Sequence, residues 1–506
     1  MYRLPTIDLA IIAAYLAAVV GLGLWLGRKR TSTDEFMAAG RSLPGWAVGL
    51  SMFGSYISSI SFLANPGKAY ASNWNFFAFS LATPIAAAIA VRFFVPFYRR
   101  AGAISAYEHL EHRFGPWART YAVICFLLVQ MARTGTVVYL LALAVYPLTG
   151  WHVATTIVVT GAVMTAYTFL GGIVAVVWTG VLQSVVLIAG TLVCLIAVIV
   201  ITPGGFAEIV HVGVAEGKFS LGSFGSSLTE STFWVVFIYG LVMNVGNFAT
   251  DQSYIQRYIT ARDDREAKKS VRLTAWLYLP GAAVFFFIGT ALFVFYRERP
   301  DLLPPTTKPD EVLPMFISEQ LPVGLAGLVI AAIFAASLDS NLNSMATLTY
   351  CDVYRRYWRP QASEREAIVV LRVATVAWGV ICTGVALAMI KAQTILDVWW
   401  QLAGIFSGGI LGLFLLGFIS RRVGSRLAAL AVAAGVLVIL WATLSQTNYW
   451  PSQWADSRNP LNSLLTIVLG TAVILAIGLT GRIVLRPPKT QNRNRSSIAN
   501  RLEMLV

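Results

Sequence analysis

Thirteen apolar runs in this sequence are each long enough to cross a bilayer core of roughly 30 Å. They begin near Ile7, Trp46, Trp74, Trp117, Val153, Trp178, Thr232, Leu273, Pro322, Ala367, Ile395, Leu427 and Leu461. Hydrophobic residues make up 57% of the 506 residues and charged residues only 12%, which is too little charge for the surface of a soluble protein of this length. The sequence therefore predicts an all-α polytopic membrane protein with about 13 transmembrane helices, embedded in a lipid bilayer.

The formal net charge of +14 lies mainly in the short loops between these runs. On the side that holds the N-terminus, the Lys and Arg residues are few: Arg3, Lys68, Lys218, Arg297, Arg299, Lys308, Lys391 and Arg458. Because basic loops stay in the cytoplasm, we expect a plasma (inner) membrane protein with its N-terminus outside and its C-terminus cytoplasmic. The charge follows this topology, so we expect no nucleic-acid partner.

Polar side chains interrupt the apolar run from Ala331 to Tyr357, which otherwise predicts a membrane-spanning helix. They are Ser337, Asp339, Ser340, Asn341, Asn343 and Ser344. Hydroxyl and carboxylate oxygens are ligands of hard cations, although hydroxyls and amides also join helices by hydrogen bonds. The carboxylate of Asp339 favours an ion site, because an ionised group inside the membrane needs a counter-charge such as a bound cation or an intramembrane arginine.

Two further polar stretches indicate irregular backbone at membrane depth. The segment SYISSIS at Ser55 to Ser61 interrupts the second run, and MNVGNFAT at Met243 to Thr250 interrupts the seventh. Counted from the second run, these are the first and sixth helices, which are corresponding positions of two five-helix halves in an inverted repeat. Freed carbonyls at such breaks hold cations and substrates, whereas the simpler interpretation is a serine-rich packing face.

Arg133 lies deep inside the fourth apolar run, too far from either end to reach the interface easily. Its guanidinium would form a two-pronged clamp for the carboxylate of an anionic substrate. The alternative is a structural ion pair, for which Asp339 is the obvious acidic partner. We expect Tyr56, Ser58 and Ser61 of the first break to contact the same substrate.

The run from Ala331 to Tyr357 resembles the eighth core helix of the sodium:solute symporter family, which contains sodium-coupled sugar, iodide, vitamin and sialic acid transporters. Three other stretches resemble the family in the same order: STDEFMAAGRSLPGWAVGLS at Ser32 to Ser51, GGIVAVVWTGVLQSVV at Gly171 to Val186, and TDQSYIQRYITARDDREAKKS at Thr250 to Ser270. The pattern is most similar to bacterial sialic-acid-transporter-like members, which carry an arginine at the place of Arg133.

The resemblance implies a leucine-transporter-type fold with a five-plus-five inverted repeat. We expect a first extra transmembrane helix within 1–30, the two five-helix repeats at 45–203 and 231–420, two C-terminal transmembrane helices at 424–486, and a basic cytoplasmic tail at 487–506.

For the main sodium site, the resemblance implies carbonyl ligands from Gly54, Ile57 and Ile333, and hydroxyl ligands at positions 336 and 337. Ser337 supplies one hydroxyl, but position 336 is alanine, so one side-chain ligand is missing.

A second sodium site of the family uses an aspartate at the position that Gly180 occupies here, together with hydroxyls at 336, 339 and 340. This chain has Asp339 and Ser340 at the last two. We infer that the negative charge of this site has moved from one wall of the ion cavity to the other.

The resemblance, together with Arg133 and the polar breaks, implies a secondary transporter that couples inward sodium flow to uptake of a small organic solute, with a carboxylated one such as a sialic acid or another sugar acid as the first expectation. The alternatives within the class are a neutral sugar, a polyol, a monocarboxylate and an amino acid. From another class, an uncoupled solute channel or a membrane sensor stays open because of Ala336. We expect no enzyme activity, since no catalytic constellation is present, and a monomeric or weakly oligomeric protein with sodium as the co-transported ion.

Overall fold

The computed structural model describes residues 4–28, 32–338, 341–390, 407–447 and 450–484, without the side chains of 59, 60 and 482–484. Within these residues the helices are α1 Thr6–Gly27, α2 Thr33–Ala38, α3 Gly45–Tyr56, α4 Ser59–Ala71, α5 Phe77–Leu81, α6 Thr83–Ile89, α7 Val95–Ala101, α8 Glu108–Phe114, α9 Pro116–Thr149, α10 Val153–Ile201, α11 Gly205–Ala215, α12 Phe233–Thr250, α13 Gln252–Ile259, α14 Asp264–Glu298, α15 Pro309–Gln320, α16 Leu325–Ser337, α17 Leu342–Leu348, α18 Glu364–Met389, α19 Ser407–Ile419, α20 Ser425–Leu444 and α21 Leu465–Val484.

Short 3₁₀ and π segments extend or join several of these helices. The 3₁₀ segments are Ala39–Arg41, Pro300–Leu302 and Ser452–Ser457, and the π segments are Ala90–Phe94 and Thr349–Trp358. Both π segments lie inside longer helical spans, where a wider turn changes the direction of the side chains that follow.

In the part of the chain that the structure describes, nine helices are long and apolar enough to cross a membrane, and α3 with α4 forms a further span bent by 53°. Helix α10 has 49 residues, on the order of 73 Å, which is more than twice the bilayer core. Gly172 divides α10 because its φ of +53° lies in the left-handed region. Helix α10 therefore accounts for the runs expected from Val153 and Trp178, while the total of thirteen spans stays a prediction.

The first helix is joined to α16 by a buried carboxylate. Asp8 of α1 is 1% exposed, and its Oδ1 accepts hydrogen bonds from the backbone N–H groups of Gly324 at 2.7 Å and Gly327 at 2.8 Å. These N–H groups belong to the first turn of α16, where a helix leaves its donors unsatisfied and favours negative charge. The first span therefore caps the helix that carries Ser337.

Two broken spans meet at one end of the molecule. Leu43, just before α3, donates its N–H to the carbonyl of Thr260 at 3.0 Å, and its own carbonyl accepts the N–H of Arg262 at 3.0 Å. The backbone N–H of Gly45 donates to Glu266 Oε2 at 2.6 Å. These bonds attach the start of α3 to the end of α13.

We predict that Asp8→Ala destabilises the protein, because it leaves the buried N–H of Gly327 and the part-buried N–H of Gly324 without their acceptor, at a cost of about 1–3 kcal/mol for the buried group. The measurement is the apparent melting temperature of the purified protein in detergent, with Asp34→Ala as a matched control that removes an exposed carboxylate of α2. Equal melting temperatures for the two variants would contradict the cap.

Candidate functional site

The first predicted break is confirmed. Helix α3 ends at Tyr56, Ile57 has extended backbone angles of φ −95° and ψ 100°, and α4 begins at Ser59. The sequence SYISSIS thus contains a real interruption of the helix, at Ile57 and Ser58.

The second break lies later than predicted. Helix α12 continues through Met243 to Thr250, and the chain turns at Asp251, with φ −81° and ψ 113°. The prediction of an interruption inside this stretch is wrong, because the helix is continuous to Thr250, whose hydroxyl donates to the carbonyl of Gly246 at 2.9 Å in the last turn. Asp251 then caps α13, since its Oδ1 accepts the N–H of Ser253 at 2.8 Å.

The run from Ala331 to Tyr357 lies within a membrane-spanning segment, as predicted, but its helix is not continuous among the described residues. Helix α16 ends at Ser337, and α17 begins at Leu342. Asp339 and Ser340 lie outside the described residues. The carbonyl of Leu338 accepts hydrogen bonds from the Tyr167 hydroxyl and from Gln183 Nε2, the latter at 3.3 Å.

A cavity of about 10 Å³ lies where the first break, α9 and α16 meet. Its lining residues are Ser55, Ser58, Arg133, Thr134, Val137, Ala336, Ser337 and Asn341. This volume holds about one water molecule or one ion, so a sugar-sized solute requires the surrounding helices to move apart.

Arg133 projects into this cavity from the middle of α9. Its Nη2 donates to the carbonyl of Ser55, the second-last residue of α3, at 3.3 Å. The carboxylate of Asp251 is close enough to interact electrostatically with the guanidinium. Gln130, one turn before Arg133, donates from Nε2 to Asp251 Oδ2 at 2.8 Å. The two broken spans thus share one charged network through α9.

Tyrosine hydroxyls bind the carbonyls that the breaks set free. Tyr254 donates to the carbonyl of Ser55 at 3.2 Å, Tyr98 to that of Ala249 at 2.7 Å, and Tyr107 to that of Thr250 at 2.8 Å. An unsatisfied carbonyl costs several kcal/mol in hydrocarbon. The hydrogen bonds from these phenols offset that cost and so stabilise irregular backbone at membrane depth.

Small residues bring α3 and α10 into direct contact beside the cavity. A Cβ added at Gly54 would lie 2.6 Å from Ser184 Oγ, and one added at Gly180 would lie 2.5 Å from Ser51 Oγ. Ser184 donates to the carbonyl of Leu50 at 2.6 Å. Ser51 Oγ is buried and has no hydrogen-bond partner within the described ranges.

The structure brings some of the predicted residues together and leaves others apart. Ser58, Arg133 and Ser337 line the cavity, and Ser337 Oγ donates to the carbonyl of Ile333 at 2.9 Å. Tyr56 instead packs against Phe248, Tyr254 and Tyr278, with ring centroids 5.6, 5.0 and 5.2 Å away.

The remaining predicted residues of the first break lie beside the cavity lining. Ile57 is buried at the end of α3, and Ser61 is in the first turn of α4.

Sequence reasoning missed three polar members of the site: Gln130, Thr134 and Asp251. The signal for Gln130 was its position three residues before Arg133, and Thr134 lies four residues after Gln130, since residues three or four apart share a helix face. For Asp251 the signal was an acidic residue directly after the second polar stretch, where a helix N-cap favours it.

The model of the sodium:solute symporter family matches residues 36–435 of this chain. The sodium/sialic acid symporter NanT of Aliivibrio fischeri is 33% identical over 479 residues, which cover 94% of this chain and 92% of the relative. The sodium/sialic acid symporter SiaT of Proteus mirabilis is 33% identical over 442 residues, covering 86% and 89%.

A solved structure of a Na⁺-coupled sialic acid symporter, in a substrate-bound outward-open state with a novel Na⁺ site, is also similar. It matches with a TM-score of 0.88 and 30% identity over 96% of this chain and 100% of that chain. This similarity confirms the predicted all-α polytopic fold of the leucine-transporter type. The chain belongs to the sodium:solute symporter family.

Proposed function

We propose that this protein couples inward sodium flow to uptake of a carboxylated sugar, with sialic acid as the first candidate. The observation that carries the proposal is Arg133, a guanidinium in a cavity beside two broken helices. Two relatives at 33% identity are sodium/sialic acid symporters, which supports the same substrate class here. The orientation with the N-terminus outside and the C-terminus cytoplasmic belongs to this proposal, as do a monomeric or weakly oligomeric state and the repeats at 45–203 and 231–420.

The surroundings of Arg133 suit a site that binds and releases an anion. The carboxylate of Asp251 offsets the charge of Arg133 electrostatically, while Gln130 and Ser253 hold the two oxygens of that carboxylate. A substrate carboxylate that accepts two parallel N–H bonds would compete with the carbonyl of Ser55 for the guanidinium. Arg133 would then leave the end of α3 as substrate binds.

Sodium would bind where the first break faces α16. Helix α16 contacts both α3 and α4, which supports carbonyl ligands from Gly54, Ile57 and Ile333 together with the Ser337 hydroxyl. That hydroxyl donates its hydrogen bond to the carbonyl of Ile333, so its oxygen lone pairs can coordinate a cation. Ala336 lines the same cavity and supplies no oxygen.

An uncoupled channel or sensor is the second candidate, and the missing oxygen at Ala336 is the observation that favours it. Uptake of radiolabelled sialic acid into proteoliposomes, with and without an inward sodium gradient, separates the two. Equal uptake with and without the sodium gradient would contradict sodium coupling.

We predict that Arg133→Lys weakens sialic acid binding roughly tenfold or more, since a hydrogen bond to a charged group is worth about 1.5–3 kcal/mol. Calorimetry should compare sialic acid with its methyl ester, which lacks the negative charge, on the wild type and the variant. Wild type should bind the ester more weakly than the acid. In Arg133→Lys this loss of affinity from acid to ester should be smaller. An equal loss in both proteins would show that Arg133 does not bind the carboxylate.

We predict opposite effects for substitutions at two neighbouring positions of α16. Ser337→Ala should raise the half-saturating sodium concentration for uptake roughly tenfold, because it removes a ligand worth about 1.4 kcal/mol or more. Ala336→Ser should lower that concentration, because it adds an oxygen to the same cavity. Unchanged sodium dependence in both variants would exclude this cavity as the main sodium site.

Asp339 and Ser340 are proposed to supply ligands of a second cation site. If Asp339 binds sodium, Asp339→Asn should lower the sodium Hill coefficient of uptake; if it carries a proton, the variant should flatten the pH dependence instead. Restoring the family's arrangement with Gly180→Asp and Asp339→Ser should succeed only with Ser51→Gly added, because Ser51 Oγ occupies the space beside Gly180. Ser51→Gly alone is the control, and a wild-type profile for Asp339→Asn in both assays would make Asp339 structural.

A further inference from the structure

A groove of about 1960 Å³ runs along the outer surface of the bundle, far larger than the cavity at Arg133. Its walls are the span Phe77–Ala101, the first half of α14 and the end of α19. Large apolar side chains line it and remain exposed, including Phe93 at 48%, Trp276 at 78% and Ile419 at 57%. Such a surface on membrane-spanning helices faces lipid.

The charged side chains in this groove are all basic. They are Arg92, Arg100, Arg113, Lys268, Arg272 and Arg421, and no lining residue is acidic. Burial, with Arg113 and His112 nearby, lowers the pKa of His109 to about 4, so its imidazole is neutral at physiological pH. The six Lys and Arg residues therefore define the charge of the site, which we call the basic groove.

These charges lie at two depths. Arg100 and Lys268 lie within about 6 Å of the ends of their helices at Ala101 and Asp264, whereas Arg92 and Arg272 lie roughly 12–14 Å from those same ends. Beyond them the groove is lined by Phe77, Pro84 and other apolar residues. A charged entrance followed by an apolar channel matches the headgroup and acyl chains of a lipid.

Local backbone geometry helps to direct charge toward the groove. Arg92 is at the centre of the π segment Ala90–Phe94, and such segments occur frequently at functional sites. On the opposite wall, Arg113 Nη2 donates to the carbonyl of Ser420 at 2.5 Å. Burial and then the neighbouring charge of Arg421 lower the pKa of Arg113, so this end of the groove favours an anion.

We propose that the basic groove binds an anionic phospholipid, with its phosphate on the Lys and Arg side chains and its acyl chains against the apolar walls. The basic residues belong to the side that sequence patterning predicts to be cytoplasmic, where anionic headgroups attract basic segments. A second copy of the chain fits less well. A two-fold interface would set this patch against itself and bring six positive charges onto six.

The test uses two matched pairs on α14, each removing two charges at positions four residues apart. Lys268→Gln with Arg272→Gln removes charge from the groove, and Arg265→Gln with Lys269→Gln removes it from residues that do not line the groove. Native mass spectrometry of the detergent-solubilised full-length protein measures binding of phosphatidylglycerol and of phosphatidylethanolamine with identical acyl chains. Because each basic residue contributes roughly fivefold, the groove variant should bind phosphatidylglycerol roughly 10- to 30-fold more weakly, and the control should match wild type.

A second measurement needs no variant. Phosphatidylglycerol with a photoreactive acyl chain should crosslink wild-type protein within 77–101, 268–283 and 417–421. The proposal is overturned by crosslinks confined to other segments, by equal binding of the two lipids to wild type, or by equal loss in both charge-pair variants. A dimer mass that disappears only in the groove variant would make the groove a protein interface and would also overturn it.

Discussion

Broken helices inside a membrane need partners for the carbonyls that leave the helical ladder, and the rest of this structure depends on that need. Among the residues that the structure describes, tyrosine hydroxyls are partners of these carbonyls. The hydroxyl of Tyr254 donates to a carbonyl at the end of α3, and those of Tyr98 and Tyr107 donate to carbonyls at the end of α12. Tyr167 donates to the carbonyl of Leu338 after α16. Each phenol comes from a distant part of the sequence, so the breaks are stable only once the helices around them have assembled.

This arrangement would also couple the two ligands of the proposed site. The carbonyl of Ser55 accepts both Tyr254 and Arg133, so both of its lone pairs are engaged. The tight contact between α3 and α10, where Gly54 meets Ser184, fixes the backbone next to it. A cation held by carbonyls of the first break and an anion held by Arg133 would then share one backbone segment, a geometry that links their affinities.

The sequence predicted the fold class and the first break well, because apolar run length and a cluster of serines act locally. It located the second break too early, since Gly246 and two asparagines suggested an interruption within a stretch that is helical as far as Thr250. It described Ala331 to Tyr357 as one helix, whereas α16 ends at Ser337. The sequence could not predict the hydrogen bonds that the tyrosine hydroxyls donate or the approach of Asp251 to Arg133, because these contacts join residues more than a hundred positions apart and leave no periodic pattern.

The buried carboxylate of Asp8 carries a consequence for motion. Helix α1 lies outside the two proposed repeats, yet it holds the first turn of α16 through two hydrogen bonds. Sliding or rotating α16 away from α1 would break both hydrogen bonds of a buried carboxylate, which is costly. The two helices should therefore travel as one rigid body during alternating access, so the hinge for this half of the molecule must lie elsewhere.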